Sequence, residues 1–154
     1  MFNLSYSGFA NAWRQHAAAG HAARLVEAGC DLQAAHLDNG AFLTSLAMLS
    51  LGVPVAGSLR IATGPHAGGR VFTGANDMAD WLAHCFAPPE TFSIDHSPVD
   101  IADRLFGRRG IVAFISGSGP QGGLIGLANG SNAHALCAAA QIRYPLEARF
   151  WELH

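Results

Sequence analysis

The residues able to do chemistry in this 154-residue chain are three cysteines, eight histidines and a scatter of aspartates. A cysteine becomes a nucleophile where its thiolate is stabilised by a helix N-terminus, an imidazolium or another cation. Cys30, Cys85 and Cys137 instead lie among apolar neighbours, which raises a thiol's pKa and leaves it inert. Their odd number and wide spacing fit neither a disulfide framework nor a metal cluster. His16, His21, His36, His66, His84, His96, His134 and His154 contain no His-x-x-x-His or His-x-Glu pair, so their spacing predicts no metal site. Asp77, Asp80, Asp95, Asp100 and Asp103 read as helix caps and solvated faces rather than as paired carboxylates. Ser118 is no nucleophile elbow, because position 116 is Ser rather than Gly.

The run Gly117-Ser-Gly119-Pro-Gln-Gly122 matches a dinucleotide-binding fingerprint literally. That fingerprint needs a helix straight after the glycines and an acid about twenty positions on. Here Pro120 interrupts the loop, a strand follows, and Ala138 to Gln141 supplies no acid. A hairpin turn is the reading the residues favour. Local spacing alone exposes no active site and calls for no cofactor.

The elements that must position these residues are organised around Asp38 to Pro54. Asp38 and Asn39 carry capping oxygens, and Gly52 and Pro54 supply the stop. Between them Ala41, Phe42, Leu43, Leu46, Ala47, Met48, Leu49 and Leu51 surround the helix axis with no charge, which predicts a buried core helix. The run is too short to span a bilayer. A first helix is expected from Phe9 to Gly20, and a second from His21 to Ala28, with Cys30 to Leu37 ambiguous. Leu59 to Thr63 and Val71 to Thr73 read as strands around a Gly-rich turn. Asn76 to Phe86 reads as a helix capped by Asn76 and ended by Pro88 and Pro89, and Thr91 to Pro98 as irregular. Val99 to Phe106 reads as a short helical turn. Ile111 to Ile115 is a strand buried on both faces, and Leu124 to Ala128 another. An Ala-rich helix and a strand from Ala148 to Leu153 close the chain. Helices lead and strands cluster late, so the class is α+β in a single domain, 1–154.

Composition narrows the function. Half the residues are hydrophobic, 13% are charged and the net charge is −2, with arginine as the sole basic residue besides histidine. No basic patch is available for nucleic acid. So little charge leaves a surface suited to a protein partner or to self-association. Met1 is followed by no basic and then apolar segment, so no secretory signal is expected.

Six collinear motifs resemble the fourth family of type VI secretion amidase effectors, papain-like peptidoglycan peptidases of NlpC/P60 type. Phe9-Ala-Asn-Ala-Trp13 resembles the family's opening helix. Asn39-Gly40-Ala41-Phe42-Leu43-Thr44-Ser45-Leu46-Ala47 to Gly52-Val53-Pro54 resembles its central helix, which there begins Asn-x-Cys-Ala and carries a Ser five residues after the Cys. Met78-Ala-Asp-Trp-Leu82 is similar to the next helix, and Arg109-Gly110-Ile111-Val112-Ala113-Phe114 to a Lys-Gly-Ile-Ile-x-Phe strand. Gly123-Leu124-Ile125-Gly126-Leu127-Ala128-Asn129-Gly130 is similar to Gly-His-Ile-Asp-Leu-Trp-Asn-Gly, and Phe150-Trp151-Glu152-Leu153 to a terminal Phe-Trp-Glu-Leu. The fold so implied has N-terminal helices and a buried central helix packed on an antiparallel sheet.

The resemblance places the nucleophilic Cys, its base His and the orienting Asp on Gly40, Leu124 and Gly126, with Leu43 and Ala128 replacing a family Arg and Trp. None of the three can do its counterpart's chemistry. The expectation is therefore a pseudoenzyme whose groove, Asn39, Gly40, Leu43, Leu124, Gly126 and Ala128, binds a partner: a secretion component, an immunity-type protein or a cell-wall peptide. The protein would be cytoplasmic in the producing bacterium, with delivery to a target-cell periplasm as the further step that the resemblance implies. The alternative is an active hydrolase with a relocated nucleophile, Cys30 or Cys137 with His36 or His134. A homo-oligomeric structural subunit is a third reading.

Overall fold

The computed structural model describes residues 2–18, 39–94, 98–117, 119, 122–142 and 144–154. The second expected helix and the ambiguous segment after it lie outside the described residues. The elements run α1 (Tyr6–Ala18), α2 (Asn39–Ser50), β1 (Leu59–Arg60), β2 (Arg70–Val71), α3 (Ala75–Cys85), β3 (Glu90–Ser93), α4 (Pro98–Leu105), β4 (Arg109–Ser116), β5 (Leu124–Asn129), α5 (Ala133–Gln141) and β6 (Pro145–Glu152). The class is α+β, as the sequence predicts.

Four strands form an antiparallel sheet in the order β3-β6-β4-β5, and β1 and β2 make a separate two-stranded ribbon. Alternation along β4 sends Ile111 and Ala113 to one face and Val112 and Phe114 to the other. The first pair joins a core with Phe9 of α1, Ala47 and Met48 of α2 and Met78 and Leu82 of α3. The second joins Ile101 and Leu105 of α4 and Ala133, Cys137 and Ala140 of α5. Helices thus cover both faces of the sheet, which is why β4 is apolar throughout.

Helix α2 is buried continuously from Ala41 to Met48. Its end is a Schellman turn: Gly52 N–H donates to the Leu49 carbonyl and Val53 N–H to the Met48 carbonyl, both at 3.0 Å. Gly52 sits at φ +80°, a conformation that costs a residue without a Cβ almost nothing. The predicted stop is the observed one.

Two local expectations are corrected. Asn76 does not cap α3; Gly74 is the N-cap residue and makes no side-chain cap bond. The Asn76 amide is drawn instead to the backbone after β4, described below. The segment expected to be irregular after Thr91 contains β3, which pairs with β6 from Glu90↔Phe150 to Ser93↔Glu147. Only Phe92 of that edge strand is buried, so it carries little apolar pattern to read.

Candidate functional site

The elements carrying the three family positions are neighbours, since α2 packs on β5. Gly40 is the second residue of α2 and half-buried. Leu124, opposite Phe114 at the start of β5, is half-buried too. Gly126, opposite Val112, is buried, and a Cβ built on it would meet Leu136 of α5 at 3.7 Å and Trp13 of α1 at 3.8 Å. No side chain at these positions can attack a carbonyl or take a proton.

The remaining groove positions are not an open wall. Leu43 is 4% exposed and Ala128 1% exposed, the latter packed into the core beneath α4 and α5. Asn39 opens α2. Two clefts lie elsewhere. One of about 180 Å³ is lined by Ile94, Ile101, Phe114, Cys137 and Tyr144 among others. The other, about 240 Å³, lies where Arg108 bonds Glu90 and Glu152 above the Phe150 ring. Those two hydrogen bonds outweigh the desolvation of Arg108, so its pKa is raised.

Ser45, which matches the family Ser of the central helix, has a structural role. Its hydroxyl donates to the Ala41 carbonyl at 2.8 Å and accepts from the Phe72 N–H at 3.0 Å, tying α2 to the residue after β2. Its neighbour Thr44 is fully buried and its Oγ1 has no hydrogen-bond partner among the described residues.

Among the expected chemical groups, Cys137 is buried in α5, and desolvation pushes its thiol pKa up. Cys85, the last residue of α3, is exposed, correcting the expectation that its apolar neighbours enclose it. His134, three residues before Cys137 on α5, faces Asp103 at 3.3 Å rather than the thiol. Cys30 and His36 lie outside the described residues. Asp80 pairs with Arg149 at 2.8 Å, while Asp77 and Asp100 occupy the first turns of α3 and α4, where the helix dipole favours them. Glu147 also bonds Arg149; these bonds outweigh desolvation and raise the arginine's pKa. β4 and β5, on either side of residues 117–122, pair antiparallel, as expected of a hairpin.

One cluster went unseen in the sequence because its members are far apart there. His16 Nε2 lies 2.7 Å and His66 Nε2 3.2 Å from the Ser50 hydroxyl. The described residues contain no group of three or more His, Cys, Asp or Glu side chains able to hold a metal ion.

An antiparallel sheet clad by helices on both faces, with a buried central helix against its β4–β5 hairpin, is an α+β architecture shared with solved structures. No protein-family model matches the chain, and no curated protein sequence matches it. The Tae4 effector of Salmonella typhimurium, solved with its immunity protein Tai4, is similar over 99% of this chain and 100% of its own, with 20% identity and a TM-score of 0.68. The same effector bound to Tai4 of Enterobacter cloacae gives 19% identity, coverage of 97% and 99%, and a TM-score of 0.64. The type VI effector Tae4 of Enterobacter cloacae gives 17%, full coverage of both chains and a TM-score of 0.63. At such identity the likeness is one of fold.

These neighbours correct the expectation that the chain is not an enzyme. The structures it matches from end to end are Tae4 effectors, the amidase class its motifs resemble, and not binding adaptors. Gly40, Leu124 and Gly126 show that those positions carry no chemistry; they do not show that no other residue does.

Proposed function

We propose that this chain is a type VI secretion effector on the amidase scaffold that hydrolyses cell-wall peptides with a nucleophile away from Gly40, Leu124 and Gly126. In the producing cell it is held by an immunity-type protein, and its site of action is a target-cell periplasm. No helix among the described residues is long and apolar enough to cross a membrane. The observation that carries the reading is the likeness to Tae4 over 99% or more of both chains. Tae4 of Salmonella typhimurium and Tae4 of Enterobacter cloacae are each solved with a Tai4 immunity protein of the same organism, which supports an immunity-type partner here.

Of the thiols, Cys137 is the least suited to attack, being buried and held protonated by desolvation. Cys30 and Cys85 remain. The test is a digest of purified peptidoglycan with muropeptides resolved by mass. Native protein, Cys30→Ala, Cys85→Ala, Cys137→Ala and the triple restoration Gly40→Cys, Leu124→His, Gly126→Asp are compared. Cleavage by the native chain, lost in Cys30→Ala or Cys85→Ala and kept in Cys137→Ala, is the expected result. Cleavage by the restoration alone would overturn hydrolysis by the native chain.

A further inference from the structure

We propose that His16 and His66 form a binding site for a borderline divalent ion such as Zn²⁺ or Ni²⁺. Three observations converge on it. Both imidazoles aim Nε2 at one point, the Ser50 hydroxyl, at 2.7 and 3.2 Å. Their rings stand 5.9 Å apart with planes inclined at 55°, so neither blocks the other's nitrogen by stacking. Ser50 is the last residue of α2, where the helix dipole presents its negative end to a cation.

The two imidazoles are also held in place from separate directions. His16 lies in the last turn of α1, which packs along α2. His66 is fixed in the turn between β1 and β2, where Gly69 N–H donates to the His66 carbonyl at 2.9 Å and Gly68 N–H to Ile61 at 2.8 Å. Both side chains are half-buried, which limits the rotamer entropy lost on binding. A metal that takes the two nitrogens exchanges their hydrogen bonds to Ser50 for coordination bonds, while the Ser50 hydroxyl keeps its bond to the Leu46 carbonyl at 3.0 Å.

Imidazole pairs select zinc, nickel and copper over magnesium and calcium, which prefer oxygen. With two ligands among the described residues and water for the rest, the ion is exchangeable rather than structural. Its effect is to staple α1 to the end of α2 and to the β1–β2 turn. The same helix dipole argues against Ser50 as a nucleophile with His16 as its base, because an alkoxide there would face the negative end.

Isothermal titration of the chelator-treated full chain with ZnCl₂ and NiCl₂ tests this. One equivalent is expected to bind, with the affinity at least tenfold weaker in His16→Gln and in His66→Gln and unchanged in His84→Gln. The thermal midpoint of the native chain is expected to rise with excess Zn²⁺, and this rise to vanish in either histidine variant. Absent binding, or binding that survives both His16→Gln and His66→Gln, overturns the site.

Discussion

The Asn76 side chain pairs with the backbone of Ser116 in both directions, Nδ2 donating to the Ser116 carbonyl at 2.7 Å and Oδ1 accepting from the Ser116 N–H at 3.2 Å. Nδ2 also reaches the Gly119 carbonyl at 2.7 Å. One amide therefore closes the end of β4 against α3 as a further strand would. Asn76→Ala removes these three hydrogen bonds and is expected to cost about 1–3 kcal/mol. Urea denaturation measures it; a change within error would show that water replaces the amide at no cost.

The adjacent residues Thr44 and Ser45 carry opposite predictions. Ser45→Ala strands the buried Phe72 N–H and is expected to destabilise by about 1–3 kcal/mol. Thr44→Val keeps the shape and removes a buried hydroxyl that has no partner among the described residues, so it is expected to stabilise by roughly 1 kcal/mol. Equal signs in the two melts would refute the assignment of those hydroxyls.

Much of this frame was legible in the sequence. The limits of α2 are written in an uncharged run ended by Gly52 and Pro54, and β4 in five apolar residues flanked by Arg-Gly and Ser-Gly. What was hidden is what depends on distance along the chain. Asn76 resembles a helix cap until its partner Ser116, forty positions on, is placed beside it. His16, Ser50 and His66 show no local spacing because three different elements bring them together. Strand β3 was missed because an edge strand exposes three of its four residues. The residues at the positions that the resemblance assigns to Cys, His and Asp were legible as Gly40, Leu124 and Gly126, but their meaning was not: a missing side chain excludes one mechanism and leaves every other open.

Gly110 makes the sheet's close approach possible. A Cβ there would run into the Trp151 carbonyl oxygen of β6, a backbone atom that cannot move without parting the two central strands. Gly110→Ala is expected to lose about 1–3 kcal/mol and to expose Trp151. Intrinsic tryptophan fluorescence through a denaturant titration reads both effects. An unshifted midpoint would mean that β4 and β6 slide apart freely.

Cys137 gives a pH prediction with a definite sign. Burial raises its thiol pKa, so the folded chain holds that proton more tightly than the unfolded chain does. The stability from this group is fully present below the unfolded thiol pKa, and it is lost as pH rises from there through the higher folded value. Stability is therefore expected to fall at alkaline pH in the native chain and to fall less in Cys137→Ala. Labelling with a thiol-reactive reagent near neutral pH gives the kinetic counterpart. Exposed Cys85 is expected to react well before Cys137, whose thiolate fraction is small and whose sulfur is covered. If Cys137 reacts as fast as Cys85 in the folded protein, its thiol is neither buried nor protonated, and the relocated nucleophile must be sought in α5 beside His134 after all.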